Sequence, residues 1–162
     1  LAPVEVGDVV ETALSLFEPR LEAEGVTLKR ELPSSRLYVH AEEIRLEQVL
    51  VNLVANALDA VAGRPGATLT IGARRRGRSV ELWVEDSGPG IDRPHLERIF
   101  DPFFTTKPVG SGLGLGLSLS YNIIKDLGGT LAVAETGPKG TRFLITLEGT
   151  TTHVMAPLDT NV

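Results

Sequence analysis

The stretch from Asp86 to Gly116 constrains this chain more than any other part of it. It opens with an acid–glycine turn, Asp86-Ser87-Gly88-Pro89-Gly90, directly after a strand-like pattern over 80–85. It closes on glycines at alternate positions that lead into a helical pattern over 117–127: Gly110, Gly112, Gly114 and Gly116. Free backbone N–H groups in such a loop, and the dipole of the helix behind it, attract an anion. We therefore predict a nucleotide pocket with a flexible lid.

Composition favours one domain with a full hydrophobic core, since the chain has 162 residues of which 42% are hydrophobic. The net charge of −5 gives no general attraction to nucleic acid or anionic membranes, so phosphate binding must depend on local geometry. The sequence contains no cysteine, which excludes disulfide frameworks and thiolate metal sites. No apolar run reaches the roughly 18 residues that span a bilayer. The chain begins at Leu1 without Met, so we expect a piece of a longer protein that acts in the cytoplasm.

Residue patterns predict eight elements in the order helix, strand, helix, strand, strand, helix, strand, strand. The helices are expected from Val6 to a stop at Gly25, over 41–62 and over 117–127, with a short one over 93–99. The strands are expected over 26–32, 68–75, 79–85, 130–135 and 141–147, with a short edge strand over 37–39. This order indicates an α/β fold, a two-layer sandwich with a mixed sheet and helices on one face. We expect the domain to occupy 1–149 and 150–162 to form a disordered or added tail.

The helix over 41–62 carries an unusual polar stripe: Gln48, Asn52, Asn56 and Asp59. A stripe of this kind is usually the solvent-exposed face, and that interpretation suits Gln48. It suits the asparagines less well, because Asn is a weak helix former and Glu, Lys or Arg would serve better in water. An amide offers oxygen to a hard cation and N–H to a phosphate. We therefore predict that Asn52 and Asn56 line a polar pocket.

Asp86 has two interpretations. An Asp before glycine is ordinary turn chemistry. A carboxylate at the floor of a pocket would instead accept a hydrogen bond from an exocyclic amine and would favour adenine over guanine. Gly88 and Gly90 would then let a flat ring approach the backbone closely.

Four motifs in this order resemble the N, G1, F and G2 boxes of sensor histidine kinases: Asn52-x-x-x-Asn56, Asp86-x-Gly88-x-Gly90, Phe100-Asp101-Pro102-Phe103-Phe104 and Gly112-Leu113-Gly114-Leu115-Gly116. The resemblance covers about Val4 to Leu147 and implies the catalytic, ATP-binding domain with the Bergerat fold of gyrase, Hsp90 and MutL ATPases. The residues Phe103 to Pro108 and Gly114 to Ser118 are most similar to the nitrogen-regulation and dicarboxylate-sensing branch.

The resemblance implies ATP and Mg²⁺ as cofactors and assigns roles to particular residues. Asn56 would ligate Mg²⁺, Asp86 would bind the adenine amino group, and Lys107 would lie near the phosphates. The catalytic set would consist of Asn52, Asn56 and Lys107. The remaining nucleotide contacts would come from the acid–glycine turn, the loop and the last strand: Gly88, Gly90, Ile91, Thr106, Gly110, Ser111, Gly112, Leu113, Gly114, Leu115, Gly116, Leu117 and Thr141. Phe103 and Phe104 would anchor the lid on the domain.

Two positions depart from the family pattern, and a third selects the reaction. Many relatives carry Lys and an aromatic residue three and four positions after the metal-binding Asn, where this chain has Asp59 and Ala60. The ATPase cousins have a water-activating Glu at position 52, whereas Asn52 has no carboxylate and is a poor general base. The resemblance therefore implies transfer of the γ-phosphoryl group to another nucleophile, by positioning and charge neutralisation.

That nucleophile is expected to be a histidine on a separate dimerisation domain, which would pass the phosphoryl group to a response regulator. We interpret His40, His95 and His153 as structural or incidental. The fragment is expected to be monomeric and the full-length protein homodimeric, with no nucleic-acid partner. A gyrase-type ATPase and a non-catalytic nucleotide-binding module remain as alternatives. The run Arg74-Arg75-Arg76-Gly77-Arg78 is either a solvated hairpin tip that protects a sheet edge or a docking patch for the dimerisation domain.

Overall fold

The computed structural model describes residues 1–107 and 114–150. The helices are α1 (Val6–Ser15), α2 (Glu18–Glu24), α3 (Glu43–Val61), α4 (Arg93–Leu96) and α5 (Gly116–Asp126). The strands are β1 (Ala2–Glu5), β2 (Thr27–Glu31), β3 (Tyr38–Ala41), β4 (Thr68–Arg76), β5 (Ser79–Asp86), β6 (Thr130–Gly137) and β7 (Gly140–Thr150).

The strands form one mixed sheet in the order β1-β3-β7-β5-β4-β2, and β6 also pairs with β7. The pair β2–β4 is parallel, whereas the other pairs are antiparallel. In the central pair β5–β7, Asp86 lies opposite Thr141. The predicted mixed sheet is thereby confirmed, and its register brings the acid–glycine turn next to the β6–β7 hairpin.

Helices α1, α3 and α5 pack side by side in a second layer, and α3 lies in the middle and contacts β4 and β5. The side of α3 that meets this core is completely buried, including Leu46, Leu50, Val54 and Leu58. On β5, alternate residues are buried in the same cluster, as expected for a strand with one face towards the helices. The two-layer α/β sandwich with helices on one face is therefore confirmed.

The first helix differs from the prediction, because it is two helices. α1 ends at Ser15 and α2 begins at Glu18, with Pro19 in its first turn. Proline has no N–H to donate, and its ring clashes with the carbonyl four residues before it, so a continuous helix breaks here. The predicted stop at Gly25 is correct, since Gly25 adopts a left-handed conformation with φ 66°.

The N-terminal strand β1 was not predicted. It pairs antiparallel with β3, and its last residue, Glu5, accepts hydrogen bonds from the backbone N–H groups of Gly7 and Asp8 at the start of α1. At the other end of the chain, β7 continues to Thr150, which lies opposite Tyr38 of β3. Residues 151–162 of the predicted tail lie outside the described residues, so the domain boundary stays a prediction.

The remaining features of the fold concern the helices. The short helix α4 ends at Leu96 rather than near 99, and Asp92 occupies its N-cap position without a side-chain capping bond. Among the residues that the structure describes, no helix combines the length and the apolar character needed to cross a bilayer.

Candidate active site

The predicted site residues lie on α3, on the acid–glycine turn and at the start of α5, which contact one another, and we call the surface that these segments share the candidate cleft. Gln48 is exposed, whereas Asn52 and Asn56 are half-buried. The Asn52 side-chain amide donates to the hydroxyl oxygen of Ser120 at 3.2 Å and to the carbonyl oxygen of Gly116 at 3.4 Å, so it joins α3 to the first turn of α5. Within 1–107 and 114–150, no hydrogen bond engages the side chain of Asn56. Among these residues, its amide oxygen therefore has no competing partner.

Asp86 is the last residue of β5 and is only 5% exposed. Its Oδ1 accepts a hydrogen bond from the backbone N–H of Gly88 at 2.8 Å. Burial raises the pKa of the Asp86 carboxyl, and the backbone N–H groups of Gly88 and Thr141 counteract this only in part. A Cβ placed on Gly88 would lie 2.9 Å from the carbonyl oxygen of Ala60, so the turn sits directly against the C-terminal part of α3.

The β6–β7 hairpin supports this turn from the other side. The hydroxyl oxygen of Thr136 accepts a hydrogen bond from the backbone N–H of Ile91 at 2.8 Å and lies 2.9 Å from the hydroxyl oxygen of Thr141. Gly140 adopts φ +134°, and a Cβ there would collide with the carbonyl oxygen of Asp86. We call Asp86, Ile91, Thr136 and Thr141 the carboxylate end of the cleft.

Thr136 was not among the site residues predicted from the sequence. Nothing in its local sequence distinguishes it from an ordinary strand threonine, because its role depends on the register that places it beside Thr141 and on the return of the loop that carries Ile91. Thr141, by contrast, was predicted from the family motif, and it is 4% exposed beside Asp86.

The C-terminal part of α3 also holds a set of ion pairs. Lys107 Nζ lies 2.5 Å from Asp59 Oδ2, and Arg20 Nη2 lies 2.8 Å from Asp59 Oδ1. Burial alone would raise the pKa of Asp59, but hydrogen bonds from Lys107 and Arg20 outweigh it and hold this pKa below its usual range. We call Arg20, Asp59 and Lys107 the cation end. Asp59 and Lys107 keep 36% and 39% of their side chains exposed.

The side chains of the phenylalanine motif differ in exposure: Phe100 and Phe104 are half-buried, and Phe103 is exposed. Phe100 packs against Tyr121 with ring centroids 5.0 Å apart, and Phe104 packs against His95 and lies 4.9 Å below the Arg98 guanidinium. The Phe103 side chain is 69% exposed, and its backbone adopts φ 67° and donates to the carbonyl oxygen of Gly114. Most of the loop that the two residues were expected to anchor lies outside the described residues, so the anchoring role stays a prediction.

The other predicted loop residues have varied positions. Thr106 is exposed, Leu115 is the N-cap residue of α5 and is 39% exposed, and Leu117 packs against the hydrophobic core. Gly116 starts α5 and accepts the Asn52 hydrogen bond described above. Gly110, Ser111, Gly112 and Leu113 lie outside the described residues.

The arginine-rich hairpin is occupied by its own contacts. Arg74 and Arg76 both pair with Glu81, at 2.8 and 3.3 Å, and the hydrogen bond from Arg74 lowers the pKa of Glu81. Arg75 donates to the carbonyl oxygens of Gly77 and Thr150. These contacts favour the interpretation as a solvated hairpin tip over that of a docking patch.

The two described histidines lie away from the cleft wall. His40 is an exposed residue of β3, opposite Pro3 of β1. His95 lies 3.0 Å from the Asp92 carboxylate and packs against Phe104. His153 lies outside the described residues.

The central helix of this two-layer α/β sandwich carries two asparagines and contacts the turn that follows a buried carboxylate, as expected for the nucleotide-binding class of domain predicted from the sequence. Within that class, the chain belongs to the histidine kinase-, DNA gyrase B- and HSP90-like ATPase family, whose model matches residues 41–151. The nucleotide of this family is ATP.

Individual relatives narrow the assignment to sensor histidine kinases. The two-component sensor PprA of Pseudomonas aeruginosa is 42% identical over 142 residues, which are 85% of this chain and 15% of PprA. The C4-dicarboxylate transport sensor protein DctB of Rhizobium meliloti is 39% identical over 146 residues, 90% of this chain and 23% of DctB. The chain therefore spans less than a quarter of the length of these two relatives.

The solved catalytic domain of the histidine kinase ThkA superposes with a TM-score of 0.81 and 32% identity, covering 91% of this chain and 94% of that domain. ThkA has also been solved in complex with the response regulator protein TrrA, where it matches with a TM-score of 0.77 and 29% identity over 92% of this chain and 42% of that one. The chain is thus a histidine kinase catalytic domain, and its similar relatives include a sensor of the dicarboxylate-sensing branch, DctB.

Proposed function

We propose that this domain binds Mg²⁺–ATP and delivers the γ-phosphoryl group to a histidine on a separate dimerisation domain. The observation that carries the proposal is that α3 contacts three other segments that hold predicted site residues. Ala60 meets the turn after Asp86, Asp59 holds Lys107, and Asn52 bonds to the first turn of α5. Asn56 stands among these contacts, four residues before Ala60.

Each end of the cleft has side chains that suit a different part of the nucleotide. Asp86, buried and hydrogen-bonded to backbone N–H groups, suits an exocyclic amine that donates to its second oxygen. Lys107 supplies a positive charge for phosphate oxygens. The amide oxygen of Asn56, which no residue of 1–107 or 114–150 engages, fits a hard cation such as Mg²⁺, and phosphate oxygens would complete the coordination. When bound, the ion would neutralise charge on the phosphates.

Asn52 supports transfer to a protein nucleophile rather than to water. Its amide already donates to Ser120 and Gly116, and it carries no group that accepts a proton at neutral pH. The transfer forms a bond between an imidazole nitrogen and the γ-phosphorus and breaks the bond to the bridging oxygen, so that ADP leaves. His95 already pairs with Asp92 and Phe104, and His40 lies exposed on β3. Neither has the setting of an acceptor histidine in the family, and both positions support an acceptor on another domain.

An exposed apolar surface supports the docking of that acceptor domain. Phe103, Leu115 and Leu119 are 69%, 39% and 43% exposed, and the backbone of Phe103 bonds to the residue before Leu115. Large exposed apolar side chains grouped beside a functional cleft are typical of interaction sites. We place this reaction in the cytoplasm, where ATP is available. A response regulator would then receive the phosphoryl group, and the full-length kinase would act as a homodimer.

The test combines this chain, the dimerisation domain of its parent protein and ATP labelled on the γ-phosphate. We expect label on a histidine of the dimerisation domain, and its loss in Asn56→Ala. The matched control is Gln48→Ala, two turns earlier on the same helix, where the exposed side chain predicts unchanged labelling. Free labelled phosphate without labelled histidine would instead establish an ATPase. Binding without either product would establish a non-catalytic module.

The role of Asn56 has its own readout. Because its oxygen is proposed to bind the ion, Asn56→Ala should weaken ATP binding in Mg²⁺ by about tenfold and have little effect in EDTA. Equal losses in both conditions, measured by calorimetry, would contradict the metal-binding role.

A further inference from the structure

Asp59 and Lys107 pair directly at the cation end of the cleft. Asp59 lies three residues after Asn56 on α3, so the two side chains are neighbours on the helix surface. Its two carboxylate oxygens are divided between two cations, Lys107 on Oδ2 and Arg20 on Oδ1. Arg20 in turn pairs with Glu24 at 2.8 Å. Lys107, the cation proposed for the phosphates, is therefore already bound to an anion of the domain itself.

We propose that Asp59 is an internal competitor for Lys107, and that it sets how tightly this domain holds the phosphates of its nucleotide. The inference rests on the proposed function, in which Lys107 contacts phosphate. A carboxylate and a phosphate oxygen offer the same acceptor to an ammonium group. An incoming triphosphate therefore gains the Lys107 contact only by replacing Asp59, and the net gain is smaller than that of a free lysine.

Arg20 modulates this competition. It occupies one oxygen of Asp59 and neutralises part of its charge, which weakens the hold of Asp59 on Lys107. Because the pair is partly exposed, salt screens it, and the competition is strongest at low ionic strength.

The experiment is a double-mutant cycle read as the dissociation constant for ATP, measured by calorimetry on this chain at low salt. Asp59→Asn should tighten ATP binding by about two- to fivefold, within the range of a partly exposed ion pair. Adenosine, which has no phosphate, should bind equally well to both proteins. Lys107→Met should weaken ATP binding, and Asp59→Asn should have no further effect in that background.

Glu24→Gln is the matched control, since it removes one negative charge from the same ion-pair set without touching Lys107. It should leave ATP affinity within about twofold of the original chain. Thermal unfolding without nucleotide checks that each variant folds. Arg20→Met provides an independent arm and should weaken ATP binding, because Asp59 then holds Lys107 alone.

The competing results are distinct. ATP affinity that is unchanged or lower in Asp59→Asn would overturn the inference, as would a gain that persists in Lys107→Met. If Lys107→Met binds ATP normally, the phosphate role of Lys107 and the inference both fail. Histidine labelling by this chain tests the proposed function separately from all of these outcomes.

Discussion

The two ends of the cleft are built from different interactions. At the carboxylate end, Asp86 and Thr141 are 5% and 4% exposed, and their partners are backbone N–H groups and hydroxyls. At the cation end, Asp59 and Lys107 are more than a third exposed and are joined by a charged hydrogen bond. Buried hydrogen bonds are costly to break, whereas exposed ion pairs contribute little and exchange partners readily. The comparison indicates a preformed carboxylate end and a cation end that can adapt to its ligand.

The most severe way to disturb the preformed end is a methyl group at Gly140. Gly140→Ala would force a Cβ into the carbonyl oxygen of Asp86 at a φ of +134°. Backbone strain and overpacking together should lower the free energy of unfolding by about 3 kcal/mol or more. Urea unfolding of the nucleotide-free chain measures this loss.

Gly137→Ala is the matched control in the same hairpin. A Cβ there meets no atom within 4 Å, and its stability should stay within about 1 kcal/mol of the original chain. Equal stability of the two variants would show that the hairpin yields easily and that the carboxylate end is not preformed.

Removing the charge of Asp86 separates binding from folding. Asp86→Asn keeps an oxygen for the Gly88 N–H but places an NH₂ group where an acceptor is needed, so ATP binding should weaken by about 1–3 kcal/mol. Glu85→Gln is the control, because the Glu85 carboxylate lies next to Asp86 in sequence but pairs with Arg142 and is 39% exposed. Unchanged ATP affinity in a calorimetric titration of Asp86→Asn would contradict the role of Asp86 in binding the base.

The raised pKa of Asp86 fixes the sign of the pH dependence. Because the folded chain takes up this proton at a higher pH than the unfolded chain, ionised Asp86 opposes folding, and the penalty disappears as pH falls through the folded pKa. Asp86→Asn should therefore not reduce the free energy of unfolding at neutral pH. ATP affinity of the original chain should fall as Asp86 becomes protonated, whereas that of Asp86→Asn should stay flat.

Local patterns predicted much of this architecture. The strand before Asp86, the helix with its asparagine stripe and the glycine stop at Gly25 all depend on residues close in sequence, and all were correct. Pro19 was also visible in the sequence, and its effect on the first helix was overlooked. The roles assigned to Asn56, Asp86 and Lys107 follow from the family motifs and stay predictions.

Long-range partners were beyond the sequence alone. β1 becomes a strand only because β3 lies beside it, and the pair of Asp59 with Lys107 joins residues 48 positions apart. Phe103 shows the limit of a motif, since the same pattern that buries Phe104 leaves its neighbour 69% exposed. Such placements depend on register and loop return, which no local periodicity encodes.

The mildest test of the preformed end is the hydroxyl of Thr136. Thr136→Val keeps the shape of the side chain but leaves the Ile91 N–H and the Thr141 hydroxyl without this partner. Losing the two contacts of this hydroxyl should lower the free energy of unfolding by about 1 kcal/mol. If the turn shifts as a result, ATP affinity should fall roughly fivefold. Thr136→Ser retains the hydroxyl and should restore affinity, and Thr130→Val, on the exposed start of the same strand, should have no effect. If Thr136→Val binds ATP normally, the hydroxyl network adds only to packing and the carboxylate end depends on Asp86 and its backbone donors alone.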